Sequence, residues 1–202
     1  MHLVPTQEEV LKLLRDTGAL REGNFEYPNG LHSKQYLQVA LAMRWAQHAK
    51  TLSVGLSRLI RANTELRAMI GELSVVAPAT GGLPVAYGVC EALRAHQVYW
   101  AERENEKDAL RFRQYLEPRK GEKVLLVDDI LRTGKKLREL RALLESKGAE
   151  VVALAVVIYQ PTPETPSFGN LPFYYLARLD GEYYTDGRQW QASGVPVEKV
   201  WV

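Results

Sequence analysis

Two adjacent carboxylates, Asp128 and Asp129, follow a short apolar run at 125–127 and precede a Thr-Gly pair at 133–134. Beyond that pair, apolar residues at 137, 140, 143 and 144 have the spacing of one helix face. Backbone N–H groups at such a turn, together with the positive end of the helix dipole, can hold a phosphate. The carboxylates can face sugar hydroxyls or a magnesium shell. The pattern therefore predicts a site for a sugar phosphate.

Each motif also has a purely structural interpretation. A lone Asp pair is more often a solvated strand end with a helix N-cap, but the apolar run and the Thr-Gly pair favour the site. Gly81-Gly82, between a predicted strand and a predicted helix, is a simple turn or a place where backbone N–H groups approach an anion such as pyrophosphate. The charge-rich stretch 102–108 is a solvated loop or a lid that excludes water.

The elements that must position these groups alternate along the chain. Alternating strands and helices predict an α/β fold, with a mainly parallel twisted sheet flanked by helices. Ligands in such sheets lie at the carboxyl ends of the strands, so we expect the turn at 78–82, the charged stretch, the Asp pair and the residues after 159 to converge. Strands are predicted at 25–27, 35–39, 75–77, 98–101, 124–127 and 151–159, and helices at 6–18, 45–61, 83–95 and from 135.

Length and composition bound the class of protein. The 202 residues, 46% hydrophobic, are enough for one domain, for which we expect an N-terminal hood at 1–44 and a core at 45–202 with a strand-like tail. A net charge of +2 gives no electrostatic reason to expect nucleic acid or a membrane as partner. The single cysteine, Cys90, fits a reducing compartment, and neither a signal peptide nor a membrane span is apparent. These features predict a cytoplasmic protein.

Residues 124–136 resemble the binding motif for phosphoribosyl pyrophosphate (PRPP) of the type I phosphoribosyltransferases. Within that superfamily the chain is similar to the orotate phosphoribosyltransferase family along nearly its whole length. The similarity includes a hood that closes over the pyrimidine (18–20, Phe25, 30–33 and 36–38), a pyrophosphate loop (78–82) and a catalytic lid (101–104, Lys107 and 110–111).

The resemblance implies a type I phosphoribosyltransferase fold and a Mg²⁺-dependent transfer of ribose 5-phosphate from PRPP to orotate, a step of pyrimidine nucleotide biosynthesis. It also implies a homodimer, because the family's lid reaches into the partner's site. Asp128 and Asp129 would bind the ribose hydroxyls directly or through the metal shell, and Arg103 and Lys107 would neutralise pyrophosphate. The remaining implied contacts are the 5-phosphate turn (Ile130, Leu131, Arg132, Thr133, Gly134, Lys135, Lys136), the pyrophosphate loop (Ala79, Thr80, Gly81, Gly82) and the base site (Phe25, His32, Ser33, Tyr159, Gln160).

The chain departs from the family pattern at several of these positions. Arg132, Lys135 and Lys136 stand where the phosphate turn usually has small residues. The strand at 151–158 is followed by Tyr159-Gln160, where the family has an Asp-Arg pair whose arginine binds the orotate carboxylate. Two alternatives therefore stay open: a phosphoribosyltransferase for another base, and a PRPP- or nucleotide-binding regulatory protein without full turnover.

Overall fold

The computed structural model describes residues 4–27, 30–105, 107–181, 183–184 and 194–200. The helices are α1 (Gln7–Asp16), α2 (Ala40–Met43), α3 (Ala46–Ala62), α4 (Thr64–Met69), α5 (Gly82–Leu93) and α6 (Lys135–Ser146), with a 3₁₀ helix at Ile70–Glu72. The strands are β1 (Leu20–Glu26), β2 (His32–Leu37), β3 (Ser74–Pro78), β4 (Gln97–Ala101), β5 (Lys123–Leu131), β6 (Glu150–Tyr159), β7 (Phe173–Arg178), β8 (Tyr183–Tyr184) and β9 (Val197–Lys199).

Five of these strands form the parallel core sheet, in the order β4-β3-β5-β6-β7. The expectation of a mainly parallel sheet flanked by helices is confirmed. β5 lies in the middle and is apolar on both faces: Leu125 and Val127 pack with α3 and α5, whereas Val124 and Leu126 pack with α6. Burial of each such side chain stabilises the fold by about 1.5–3 kcal/mol, so the strand that ends in the Asp pair is firmly held.

A second, smaller sheet has the order β8-β2-β1-β9, with β1 and β2 antiparallel. We call it the hood sheet. The sequence placed the whole C-terminal tail with the core, but only β7 joins the core sheet, whereas β8 and β9 pair with β2 and β1. Pairing between strands that are distant in the chain leaves no local pattern, which is why the sequence did not reveal it.

Sequence patterns at helix ends predicted the structure better than strand pairing could be predicted. The spacing of Thr6 and Glu9 predicts a capping box at the start of α1, and the structure confirms it. Thr6 Oγ1 accepts a hydrogen bond from the Glu9 N–H at 3.2 Å, and Glu9 Oε2 accepts one from the Thr6 N–H at 2.7 Å. Several boundaries differ from expectation: β1 begins at Leu20 and not at 25, and Val39 caps the short helix α2 instead of ending a strand. Neither α2 nor α4 was predicted. No helix in the described ranges is long and apolar enough to cross a membrane.

Candidate active site

A pocket of about 480 Å³ lies where the carboxyl ends of β3 and β5 meet the hood sheet. Two of the four segments expected to converge contribute to it, the 78–81 turn and the stretch from Asp128 onward, and the hood supplies further residues. The charged stretch and the residues after 159 do not line it. Its lining consists of Tyr27, Tyr36, Leu37, Gln38, Ala40, Pro78, Ala79, Thr80, Gly81, Asp128, Asp129, Ile130, Leu131, Arg132, Thr133, Gly134, Lys135, Lys136 and Leu137.

The acid pair lies within the last four residues of β5 and not beyond its end, because the strand continues to Leu131. Asp128 is 7% exposed, and its Oδ1 accepts a hydrogen bond from the Asp129 N–H at 2.9 Å. Asp129 Oδ1 accepts one from the Ile130 N–H at 2.8 Å. Burial, and then the adjacent Asp129 carboxylate, raise the pKa of Asp128 well above its ordinary value. Such a pair favours hydroxyl donors or a cation between its oxygens.

The predicted pyrophosphate loop packs tightly against these carboxylates. A Cβ on Gly81 would lie 2.9 Å from Asp129 Oδ2, and one on Gly82 would lie 3.1 Å from Asp128 Oδ1 and 2.9 Å from the Ala77 Cβ. The peptide bond between Ala79 and Thr80 is cis. Helix α5 begins here without a side-chain cap, so its first N–H groups can serve an anion.

The predicted phosphate turn leads into α6, which also begins without a side-chain cap. Gly134 is its N-cap residue, with φ of +66°, and a Cβ there would lie 2.9 Å from the Pro166 Cδ. A glycine is required at this position because of both the left-handed backbone and the contact. Lys135 and Lys136 are exposed at the pocket rim. The turn thus combines open N–H groups with two cations, a suitable arrangement for a phosphate.

Arg132 belongs to this turn by its backbone, but its side chain extends toward the hood. Its Nε donates to Gln160 Oε1 at 2.7 Å, and its Nη2 donates to the Leu37 carbonyl at 3.1 Å. The guanidinium carbon lies 5.9 Å from the centre of the Tyr27 ring. These contacts place the guanidinium on the hood side of the pocket.

The hood lines the pocket through part of the predicted segment: Tyr36, Leu37 and Gln38 belong to the lining, as expected, whereas Phe25, His32 and Ser33 do not. Phe25 is buried against Tyr36, with ring centres 5.6 Å apart, and does not line the pocket. Ser33 is buried and accepts a hydrogen bond from the Gln35 N–H, whereas His32 pairs with Tyr184 in the hood sheet. Sequence reasoning did not assign Tyr27 to the base site, although it lies two residues after Phe25, a spacing that could have drawn attention to it.

The two residues after the long strand take separate places. Tyr159 lines a smaller cavity of about 220 Å³ and packs edge-on against Phe173, with ring centres 5.1 Å apart. Gln160 is 2% exposed and reaches the main pocket only through its bond to Arg132.

The charged stretch forms a loop that is held against α6. Glu102 and Arg111 form an isolated antiparallel bridge, and Arg103 pairs with Glu139 of α6. Glu139 also accepts a hydrogen bond from the Leu110 N–H at 2.7 Å. Lys107 is exposed. Neither Arg103 nor Lys107 lines the pocket described above, so the structure does not bring these two predicted residues to the acid pair.

Asp128 and Asp129 are the oxygen donors suited to a divalent cation. Mg²⁺ prefers carboxylate, phosphate and water oxygens and is usually held by one or two carboxylates together with substrate phosphates. Within the described residues no group of three or more His, Cys, Asp or Glu side chains could hold a metal ion. A cation at this site would therefore share its shell with oxygens of a bound ligand.

The fold and the site define a class of protein. A parallel sheet carries an acid pair, a glycine loop and an uncapped helix at one edge, and residues 46–169, more than half of the chain, match the model of the phosphoribosyl transferase domain. The crystal structure of orotate phosphoribosyltransferase from Aeropyrum pernix has the same fold, with a TM-score of 0.67, 21% identity, and coverage of 84% of this chain and 93% of that one.

Sequence relatives narrow the class. An orotate phosphoribosyltransferase of Carboxydothermus hydrogenoformans is 34% identical over 95% of this chain and 95% of its own length. One of Thermotoga maritima is 33% identical over 94% of this chain and 96% of its own. The chain belongs to the orotate phosphoribosyltransferase family.

Proposed function

We propose that the protein transfers the 5-phosphoribosyl group of PRPP to the ring nitrogen of orotate, giving orotidine 5'-phosphate and pyrophosphate. The observation that carries the proposal is that a single pocket joins Asp128 and Asp129, the loop at Gly81 and the open start of α6 to the hood. PRPP carries a phosphate at C5 of its ribose and a pyrophosphate at C1, and these features offer a place for each of the three parts. The choice of orotate as the base is supported by the relatives, which are named orotate phosphoribosyltransferases.

The chemistry proposed for this pocket needs little covalent participation by the protein. The bond between the anomeric carbon and the pyrophosphate oxygen breaks, and pyrophosphate leaves with the electron pair. The ring nitrogen forms the new bond to that carbon and gives up its proton to pyrophosphate or to solvent. Positive charge develops on the ribose and negative charge on the leaving group. Asp128 and Asp129 would orient the ribose hydroxyls, the N–H groups around Gly81 would hold pyrophosphate, and the turn at Gly134 would hold the 5-phosphate.

We also propose that Mg²⁺ binds with PRPP beside Asp128 and Asp129. When bound, the cation would neutralise part of the pyrophosphate charge. The carboxylates would hold it directly or through water, and their proximity at the end of β5 supports this role.

A further part of the proposal is a homodimer in which each subunit lends its lid to the other. Arg103 and Lys107 do not line the pocket of their own chain, and the loop that carries them is held on the outside of α6. In the proposed dimer, Lys107 reaches the pyrophosphate of the partner's site when the lid closes.

An assay with PRPP, Mg²⁺ and a panel of bases tests the function. We expect pyrophosphate release and nucleotide formation with orotate, and little with adenine, guanine, hypoxanthine or uracil. Turnover with a purine base in place of orotate would assign another base to the same fold. Tight PRPP binding without pyrophosphate release in the presence of any base would indicate a regulatory protein and not an enzyme.

A further inference from the structure

We propose that Arg132 recognises a carboxylate on the base, and that Gln160 is the residue that positions it. The inference rests on the proposed function, since it concerns the base end of the same pocket. It gives a role to the arginine in the phosphate turn and to the glutamine after β6, two residues that depart from the family pattern.

The core sheet brings the two residues together. β5 and β6 run parallel, with Leu131 opposite Tyr159, and the Gln160 N–H donates to the Leu131 carbonyl at 2.9 Å. The residues that follow, Arg132 and Gln160, therefore leave the sheet at the same edge. Their side chains join through the 2.7 Å hydrogen bond from Arg132 Nε to Gln160 Oε1.

The described partners of Arg132 carry no negative charge that would neutralise the guanidinium. Both acceptors are neutral, one being the amide oxygen of Gln160 and the other the carbonyl of Leu37. The ion pairs found in the described ranges do not include Arg132. A half-buried guanidinium with neutral acceptors keeps N–H donors and its charge for an anion, and a planar carboxylate matches its fork best.

Gln160 is built into a tight space that fixes its amide. A Cβ on Gly181 would lie 2.6 Å from Gln160 Nε2, and the Tyr183 hydroxyl lies 3.5 Å from Gln160 Oε1. The oxygen is thereby directed at Arg132. A glutamate of the same size would hold the arginine equally well but would cancel its charge, so the neutral amide is the feature that leaves the guanidinium available.

The surroundings of Arg132 also fit a flat ring. Tyr27 and Tyr36 both line the pocket, with ring centres 6.4 Å apart, and the guanidinium lies over Tyr27. The acid pair lies in the same pocket, so the site offers carboxylates for the ribose and the Arg132 guanidinium for the base. A planar base that carries a carboxylate pairs with the cation, whereas a neutral purine leaves it without a counter-charge.

The first test compares Arg132→Gln with Arg138→Gln, an exposed arginine on α6 outside the pocket lining. Equilibrium binding of PRPP, orotate and uracil, which lacks the carboxylate, is measured for each protein. We expect Arg132→Gln to bind orotate roughly 10- to 100-fold more weakly, the effect of one charged hydrogen-bonding pair, while PRPP and uracil affinities stay unchanged. Arg138→Gln should behave as the wild type.

The second test is Gln160→Glu, which keeps the size of the side chain and adds a counter-charge. We expect the KM for orotate to rise by roughly tenfold with kcat nearly retained, because the glutamate competes with the substrate for Arg132. A thermal melt checks that the variant is folded, and Arg132→Lys, which keeps the charge but loses the fork, should show an intermediate loss of orotate affinity.

The outcomes separate this inference from the proposed function. Wild-type turnover with orotate, together with unchanged orotate affinity in Arg132→Gln, would overturn the role of Arg132 and leave the function standing. Tighter orotate binding in Arg132→Gln would also overturn it, since the arginine would then obstruct the base site. Absence of orotate turnover in the wild type, with turnover of another base, would overturn the proposed function itself.

Discussion

The Asp129 carboxylate lies directly against Gly81: a Cβ built on Gly81 would stand 2.9 Å from Asp129 Oδ2. The loop after β3 and the end of β5 are thus packed without space for a side chain between them. The proposed pyrophosphate and ribose contacts depend on one another, because a shift of either segment displaces the other.

Replacing Gly81 by alanine should impair catalysis, because the added methyl group pushes the Asp129 carboxylate away from the ribose. We expect kcat/KM for PRPP to fall by roughly 10- to 100-fold, the penalty of a small misplacement in an active site. Steady-state kinetics with varied PRPP measures it. Gly71→Ala is the matched control, since a Cβ at Gly71 meets nothing within 4 Å, and it should leave the kinetics unchanged. Wild-type kinetics in Gly81→Ala would contradict the close fit.

Replacing Gly134 by alanine should weaken PRPP binding through the phosphate turn. The residue has a φ of +66°, and a left-handed backbone costs a residue with a Cβ roughly 1–2 kcal/mol. We expect a lower free energy of unfolding in urea and a higher KM for PRPP. Gly148→Ala has a similar φ of +79° but lies outside the pocket lining, so it should lose stability without a change in KM. Equal KM values for the two variants would show that Gly134 is not part of the phosphate site.

Converting both acids of the pair to amides should abolish turnover. Asp128→Asn combined with Asp129→Asn keeps the shape of the side chains but removes the charges proposed to bind ribose hydroxyls and Mg²⁺. We expect pyrophosphate release at the background level, with circular dichroism and melting temperature like those of the wild type. Asp16→Asn, an exposed acid paired with Lys12 on α1, should retain full activity. Substantial turnover by the double variant would disprove the site assignment.

A mixing experiment tests the shared lid. Lys107→Ala should lower kcat more than PRPP affinity if the lid acts in the transition state. When Lys107→Ala is unfolded and refolded together with the double Asn variant, hybrid dimers contain one site with an intact acid pair and an intact lid. We expect the activity of the mixture to recover to about a quarter of the wild-type value, as random pairing of two chains requires. Activity no higher than the sum of the separate variants would indicate that the lid serves its own chain.

Removing Mg²⁺ should abolish turnover and weaken the binding of PRPP beside the acid pair. In the presence of EDTA we expect no turnover, and addition of Mg²⁺ should restore it. PRPP should raise the melting temperature strongly with Mg²⁺ and weakly without it, because a ligand that binds only the folded state stabilises it more when it binds more tightly. The double Asn variant should show the same small shift under both conditions. Full activity in EDTA would exclude the proposed metal role.

Local patterns in the sequence were sufficient for much of the fold. The apolar segments before Asp128 and before Tyr159 are buried strands, and the capping box at Thr6 begins α1 as expected. These features depend on residues close together in the chain, where apolar spacing and side-chain caps act directly. Element ends were less accurate, as at Val39, because tertiary contacts decide where a strand stops.

The positions of the site segments could also be predicted, because parallel strands place their carboxyl ends at one edge. Asp128, Thr80, Gly81 and the turn at Gly134 line one pocket. The directions of the side chains could not be predicted in the same way. Phe25 and Ser33 are buried within the hood sheet, and Tyr27 takes a place in the pocket that the sequence did not assign to it.

The sequence alone determined the parallel α/β core and the acid pair and glycine turns at its edge, because strand burial, helix periodicity and turn chemistry are local properties of the chain. Only the tertiary structure decided that the C-terminal strands β8 and β9 complete the hood sheet and that Arg132 extends away from the phosphate turn to Gln160 and Tyr27. The physical reason is the same in both cases. Those contacts join residues far apart in the chain, and their geometry exists only after the core sheet has aligned β5 with β6.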